Sequence, residues 1–256
     1  MRRLARLGFA VAVGVSAGIA APALADPRED FLAGRTNDCP KCDLTKVDRK
    51  RADLTNANLA GANLTEANFH DAKLMGADLT GAVLVGANLN KADLRNVKLI
   101  GADMTDAMAY AARMSQADLS NSNLTRVIGR TADLTRAKLV GADLTQSDFR
   151  QVRMALADLS GANLTKAWME ESQMRGVNLT GANLSGAGLA LVDLNQANLT
   201  RAMVTDADLR KASIRGATVT GADFSRSLLR QADMVGTPLD GVKLAGTMMP
   251  DGTVIP

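Results

Sequence analysis

From Cys42 to Asp251 a large apolar residue recurs at nearly every fifth position, and no insertion breaks the frame. The run "ADLTN ANLAG ANLTE ANFHD AKLMG ADLTG" begins at Ala52, and the register still holds at "VKLAG TMMPD". Centres step by five from Leu44 to Met249, which makes 42 units. The consensus is small, polar, large apolar, Ser or Thr, then anything. A step of five turns a helical residue by about 140°, so the centres would spread around every side of a helix. On a strand an odd step sends each centre to the opposite face. Neither element builds a core. A closed coil with five residues per side does, because each side points one large residue inward. The small residue two places earlier turns inward as well. That place is almost always Ala, with some Val, Ser or Thr.

Units such as "ADLTG", "ANLTE", "ANLSG" and "ADLSG" resemble those of pentapeptide repeat proteins, and the resemblance runs over residues 42–251. It implies an all-β, right-handed quadrilateral parallel β-helix, a solenoid with four units and 20 residues per coil. Such a solenoid would have about ten coils stacked at the strand spacing of about 4.8 Å, forming a rod about 50 Å long. Residues 26–41 are then expected as an N-terminal cap segment, and residues 252–256 as a C-terminal tail.

With four sides, residues 20 apart share a wall. The centres Leu59, Leu79, Leu99, Leu119 and Leu139 form a plain core column. Leu54, Leu74, Leu94, Met114, Leu134 and Met154 form another, in which Met reads as gap-filling core. Outward positions alternate in sign along two walls: Asp53, Lys73, Asp93, Arg113, Asp133, Arg153, and Asp78, Lys98, Asp118, Lys138, Asp158. Alternation at strand spacing turns repulsion into weak surface pairs, and the interposed Lys residues exclude a calcium site.

One wall is irregular. Its centres fail at Arg49, Ala109 and Gly129. Its outward positions carry Met108, Ile128, Trp168, Leu228 and Met248 where Asp or Asn is usual. The position after the centre carries Tyr110, Arg130, Arg150, Arg210 and Arg230. The chain's single Trp and single Tyr are both on this wall. Two readings follow. In the first, the wall is deformed over residues 106–130: Met108 and Ile128 turn inward to replace the missing centres, and Tyr110 covers the dent. In the second, Met108, Tyr110, Ile128, Arg130, Arg150 and Trp168 form a partner-binding face, since exposed apolar residues with Trp, Tyr and Arg mark interfaces. Trp168 is expected to face solvent under either, because its own centre, Met169, is intact.

Residues 1–25 have a different composition. Arg2, Arg3 and Arg6 precede the weakly apolar "GFAVAVGVSAGIAAPALA", which ends in Ala23-Leu24-Ala25 before Asp26. This pattern predicts a secretory signal peptide cleaved between Ala25 and Asp26, and hence a periplasmic or secreted protein with no membrane span after cleavage. Cleavage changes the charge. Of 30 basic residues three lie in the signal, and none of the 27 acidic ones does, so the mature chain is formally neutral. Bulk charge therefore does not favour nucleic acid as a partner.

Candidate chemistry is sparse. His70, the lone His, follows the centre Phe69 and is expected to face out, with no nucleophile in view. The column Thr105, Thr125, Thr145, Thr165 reads as a β-surface ladder. Cys39 and Cys42 form a C-x-x-C in a chain expected to be exported, where disulfides persist. They read as an end clip, against a thioredoxin-type pair, which needs a strand-to-helix context. A "CPxCDL" start is also familiar among pentapeptide repeat proteins. Nothing points to a cofactor or a metal site.

The expectation for function is a non-enzymatic exported scaffold or protein-binding rod with an unknown protein partner. A homodimer through a coil end is a further expectation. The family resemblance also implies an alternative, since a subset of these proteins mimics duplex DNA and interacts with DNA gyrase. A neutral mature chain, an export signal and the lack of an inserted loop all depart from that pattern. A second alternative is a periplasmic thiol oxidoreductase using Cys39 and Cys42.

Overall fold

A computed structural model describes residues 26–256; the expected signal peptide, residues 1–25, lies outside the described residues. The chain winds into a right-handed, four-sided parallel β-helix. Each outward residue bridges its equivalent 20 positions on, in parallel, from Asp43↔Asn63 to Leu228↔Met248. Each side is so short that these contacts are single bridges rather than long strands.

The five-residue unit is a hydrogen-bonding circuit. The centre Leu64 donates its N–H to the Val83 carbonyl of the next coil (2.7 Å), and the outward Asn63 donates back to Cys42 of the previous coil (2.9 Å). Glu66 donates to Val85 (2.8 Å), and Ala67 donates across the corner to Leu64 (3.0 Å). From Lys46 to Gly246 the fifth position lies in the left-handed region at every corner, with φ from 53° at Ala111 to 74° at Gly236 and Gly246. Only there does the chain turn tightly enough to begin the next side. L-residues occupy this region at a cost of about 1 kcal/mol or more, so the position that reads as "anything" is the most strained in the unit.

Centres and small residues fill a continuous core in which Leu59, Leu79, Leu99 and most of their equivalents are wholly buried. Ser122 and Ser147 replace the small Ala inside, and each hydroxyl donates to a carbonyl three residues back at 2.7 Å. No buried hydroxyl there is left unpaired, which would cost about 1–3 kcal/mol.

A helix, α1 (Pro27–Leu32), closes the N-terminal end. It is far too short to cross a membrane. Asp26 caps it by accepting the Arg28 N–H, and Phe31 plugs the first coil at 1% exposure. Ladder bonds already run from Cys39 to Asn58 and from Lys41 to Ala60, one unit before Cys42. At the other end Pro238 has no N–H to donate, and the bridge it would make to Thr218 is missing from an otherwise regular series. Residues 252–256 fold back: Met248 pairs with Val254 in antiparallel fashion, and Gly246 donates to Ile255 at 2.7 Å.

Candidate functional site

Asp and Asn at the outward position have a local task. Asn63 Oδ1 accepts the N–H of Thr65 (3.1 Å) and its hydroxyl (2.7 Å), and Asp103 treats Thr105 the same way (3.0 and 2.6 Å). This side-chain cap satisfies the one backbone N–H of the unit that the coil ladder leaves out. The Thr column then links coils, as Asn123 donates to Thr105 and Asn163 to Thr145, both at 2.9 Å. The alternating charges form the expected pairs, Lys73–Asp53 (3.2 Å), Arg113–Asp93 (3.4 Å) and Arg153–Asp133 (3.0 Å). They are solvated surface pairs, which solvent screens to little net stability. His70 is half-buried beside its centre Phe69; its backbone N–H donates to Asn68 Oδ1 and its carbonyl accepts from the Arg51 N–H.

Two of the three failed centres have separate causes. Arg49 belongs to the cap: its guanidinium lies 4.6 Å from the Phe31 ring centroid and donates to the Phe31 carbonyl. At Gly129 the space is taken by Phe149 of the next coil, whose Cε1 would stand 2.1 Å from an added Cβ. Ala109 stays wholly buried. The deformed-wall reading therefore needs correction, because Met108 and Ile128 do not turn inward; they are 37% and 45% exposed. Turning either one in would break its ladder bonds, which are intact at Met108 N–H to Ala87 (2.9 Å) and Ile128 N–H to Ala107 (3.0 Å). Leaning one large ring into a gap leaves the backbone untouched. Tyr110 covers no dent either, being 47% exposed.

An apolar residue at the outward position forfeits the side-chain cap. Tyr110 borrows one from the previous coil, its N–H bonding Asn90 Oδ1 at 2.8 Å. Ile128 and Trp168 provide none for Arg130 and Glu170. These two residues thus add exposed apolar area and give up a local hydrogen bond.

Between Ile128 and Trp168, two coils apart, lies Asp148. Its short side chain is drawn aside by Arg150, which donates twice at 2.8 and 2.5 Å, and Arg130 lies 4.0 Å away. Burial pushes the Asp148 carboxyl up, but the Arg150 hydrogen bonds and the charges of Arg150 and Arg130 outweigh it and hold it below the usual carboxylate range. The result is an open cleft of about 750 Å³ with tall apolar walls and a low floor. Gln146 and Gly186 complete the lining, with Arg126 and Lys166 along one corner. Of the residues singled out from the sequence, Ile128 and Trp168 line this cleft. Arg130 and Arg150 are turned onto Asp148, and Met108 and Tyr110 lie outside it. Asp148, Gln146 and Lys166 were missed because each fits the consensus at its own position. Placing residue 148 between 128 and 168 on the 20-residue stride was the available signal.

The cleft holds binding surface but no activated group. An ionised Asp148 tied to two Arg residues is a poor base at neutral pH. Cys39 and Cys42 are joined by a disulfide, with Cα atoms 5.4 Å apart. Cys39 sits at a centre position and Cys42 at the following small position, so the bond replaces a Leu–Ala contact inside the coil. Cys39 is wholly buried and Cys42 half-buried, and the pair opens a coil rather than a helix, which is not the context of a thioredoxin-type pair.

A family model described as "Pentapeptide repeats" matches residues 42–81, 72–107, 112–151, 157–196, 178–216 and 207–246. Among solved structures, HetL, a pentapeptide repeat protein involved in heterocyst differentiation regulation from the cyanobacterium Nostoc, aligns with a TM-score of 0.66 at 25% identity. The match covers 89% of this chain and 98% of HetL. QnrB1, a plasmid-mediated fluoroquinolone resistance protein, aligns with a TM-score of 0.48 at 18% identity, over 70% of this chain and 92% of its own. No curated protein sequence matches the chain.

Proposed function

The chain belongs to the pentapeptide repeat family, and from that premise we propose that it is a non-enzymatic, exported scaffold that docks a protein partner on the wall of Met108, Ile128 and Trp168. One observation carries this reading. On this wall the outward position exposes large apolar side chains, 49% in the case of Trp168, where folding alone favours a capping Asp or Asn. Such residues weaken the local hydrogen bonding and leave apolar area in water, so contact with another surface is the use that offsets both costs. Export rests on the basic, apolar, small-residue pattern of residues 1–25. N-terminal sequencing of secreted protein should begin at Asp26.

The docking wall is tested by cross-linking and pull-down from the exported fraction, comparing wild type with Trp168→Ala and Arg150→Ala. Loss of the partner in the variants is expected. A partner retained equally by both sinks the proposed wall.

A second surface is proposed for self-association. In the final coil Met234, Leu239, Leu244 and Met249 are only partly buried, and an open coil end invites pairing. Light scattering of purified protein should report a dimer that Leu239→Glu dissociates. A wild-type monomer at high concentration overturns this proposal.

A further inference from the structure

Resting on the docking wall proposed above, we infer that the partner's contact segment is an acidic, extended stretch of polypeptide carrying one large apolar anchor residue. Two depressions on the wall lead to this. The first is the cleft between Ile128 and Trp168. Its walls stand two coils apart, about 10 Å, with the lowered Asp148 between them. That gap admits a single Leu, Met or Phe side chain laid against the indole. The second depression is a groove of about 360 Å³, lined by Leu191, Arg210, Lys211 and Arg230 among others. It lies about three coils further along, on the opposite edge of the same wall.

Charge selects the partner's chemistry. Of the charged side chains lining the two depressions, five are cations and one, Asp148, is a carboxylate. Asp148 is already neutralised by Arg150 and Arg130. Arg126 is held by Asp106 at 2.6 Å and Arg210 by Asp208 at 2.6 Å. Lys166, Lys211 and Arg230 pair with no carboxylate among the described residues. Three unpaired cations are thus set beside apolar surface, Lys166 at the cleft and Lys211 with Arg230 at the groove. On the two alternating walls, by contrast, Lys73, Lys98, Arg113 and Arg153 each have a coil neighbour of opposite sign.

A segment that fills both depressions crosses the wall obliquely over at least about 15 Å, which takes about five residues of extended chain. The anchor and the acidic residues are therefore separated by about that number. A nucleic acid would also meet the cations, and a base can stack on an indole, but three separated charges form no continuous phosphate track.

The test uses the mature protein, immobilised and screened against a displayed library of random peptides about twelve residues long. Enriched peptides are expected to carry a large apolar residue with two or more Asp or Glu about five positions away. A resynthesised peptide should shift the emission of Trp168. Its affinity, read by anisotropy of a labelled copy, should fall about tenfold or more in Trp168→Ala and again in Lys211→Glu with Arg230→Glu. Circular dichroism of these surface variants should match wild type. Enrichment of neutral or basic peptides overturns the inference, as does no enrichment. So does equal affinity for the charge-reversed variant, or displacement of the peptide by a mixed-sequence single-stranded oligonucleotide. If the peptide arm fails while a pulled-down partner is still lost with Trp168→Ala, the docking wall stands and only the acidic segment is refuted.

Discussion

Gly129 and Phe149 should behave as one packing unit. A Cβ on residue 129 would lie 2.1, 2.5 and 2.9 Å from Cε1, Cδ1 and Cζ of Phe149. Apolar carbons rest at about 3.5 Å or more, so Gly129→Ala must drive the ring back by about 1.4 Å into a close-packed core. Overpacking of this kind costs about 1–3 kcal/mol, and Gly129→Leu should exceed that range. Phe149→Leu removes three ring carbons, a loss of about 2.4 kcal/mol at about 0.8 kcal/mol per carbon, and it leaves the Gly129 gap unfilled. The double variant Gly129→Leu with Phe149→Leu restores the arrangement of Leu189, Leu209 and Leu229, which stack wholly buried on the same wall. It should lie within about 1 kcal/mol of wild type, giving a coupling energy of about 3 kcal/mol or more. Urea unfolding followed by circular dichroism measures all four corners of the cycle. Additive single effects, or a Gly129→Ala protein as stable as wild type, would refute the account of how this wall closes.

Other outcomes can be read with simple assays. The single Trp168, 49% exposed, should be readily quenched by acrylamide; a shielded emission would mean that the indole is covered. Thr131 is a β-branched residue held at φ 57°, so Thr131→Gly should raise stability by about 0.5–1 kcal/mol, and an unchanged or lowered melting temperature would contradict a strained corner. Reducing Cys39–Cys42 opens a very short loop, so it should cost only about 2 kcal/mol and fray the N-terminal end, seen as faster amide exchange around Phe31. The Arg95 hydrogen bond holds Asp93 below the ordinary carboxylate value, and Arg210 does the same for Asp208. Asp148 is also held low, with burial opposing its Arg partners. For groups depressed in the folded state, the stabilisation is complete above the unfolded value of about 3.9 and is lost as pH falls through the lower folded values. Melting temperature should therefore hold near neutral pH and fall below about pH 4; a decline already complete at pH 5 would count against these pairs.

The coil was legible because its signal is periodic. One large apolar residue every five positions fits a closed coil and neither a helix nor a strand, and the four-sided coil implied by the family resemblance sets the stride of 20 that sorts the outer residues into walls. The paired columns of Asp with Lys or Arg followed from that stride alone. The candidate face was legible only in part. Ile128 and Trp168 broke the consensus and could be noticed. Asp148, Lys166 and Lys211 obeyed it, and they matter through what stands one or two coils away.

The wall on which the exceptions gather came from the four-sided coil that the family resemblance implies, whereas the sequence by itself determined the repeat, its frame, and the inward and outward positions. These depend on chain-local alternation, which the backbone enforces unit by unit. Only the tertiary structure decided how the failed centres are filled. Phe149 reaches back into the previous coil at Gly129, and Arg49 serves the cap rather than the coil. The structure also exposed the demand on the fifth position, which tolerates many side chains yet takes a left-handed turn at every corner from Lys46 to Gly246. Packing and charge pairing are settled between residues 20 apart in sequence and one strand spacing apart in space. A pattern read along the chain can name those neighbours, but it cannot show which of them moves to accommodate the other.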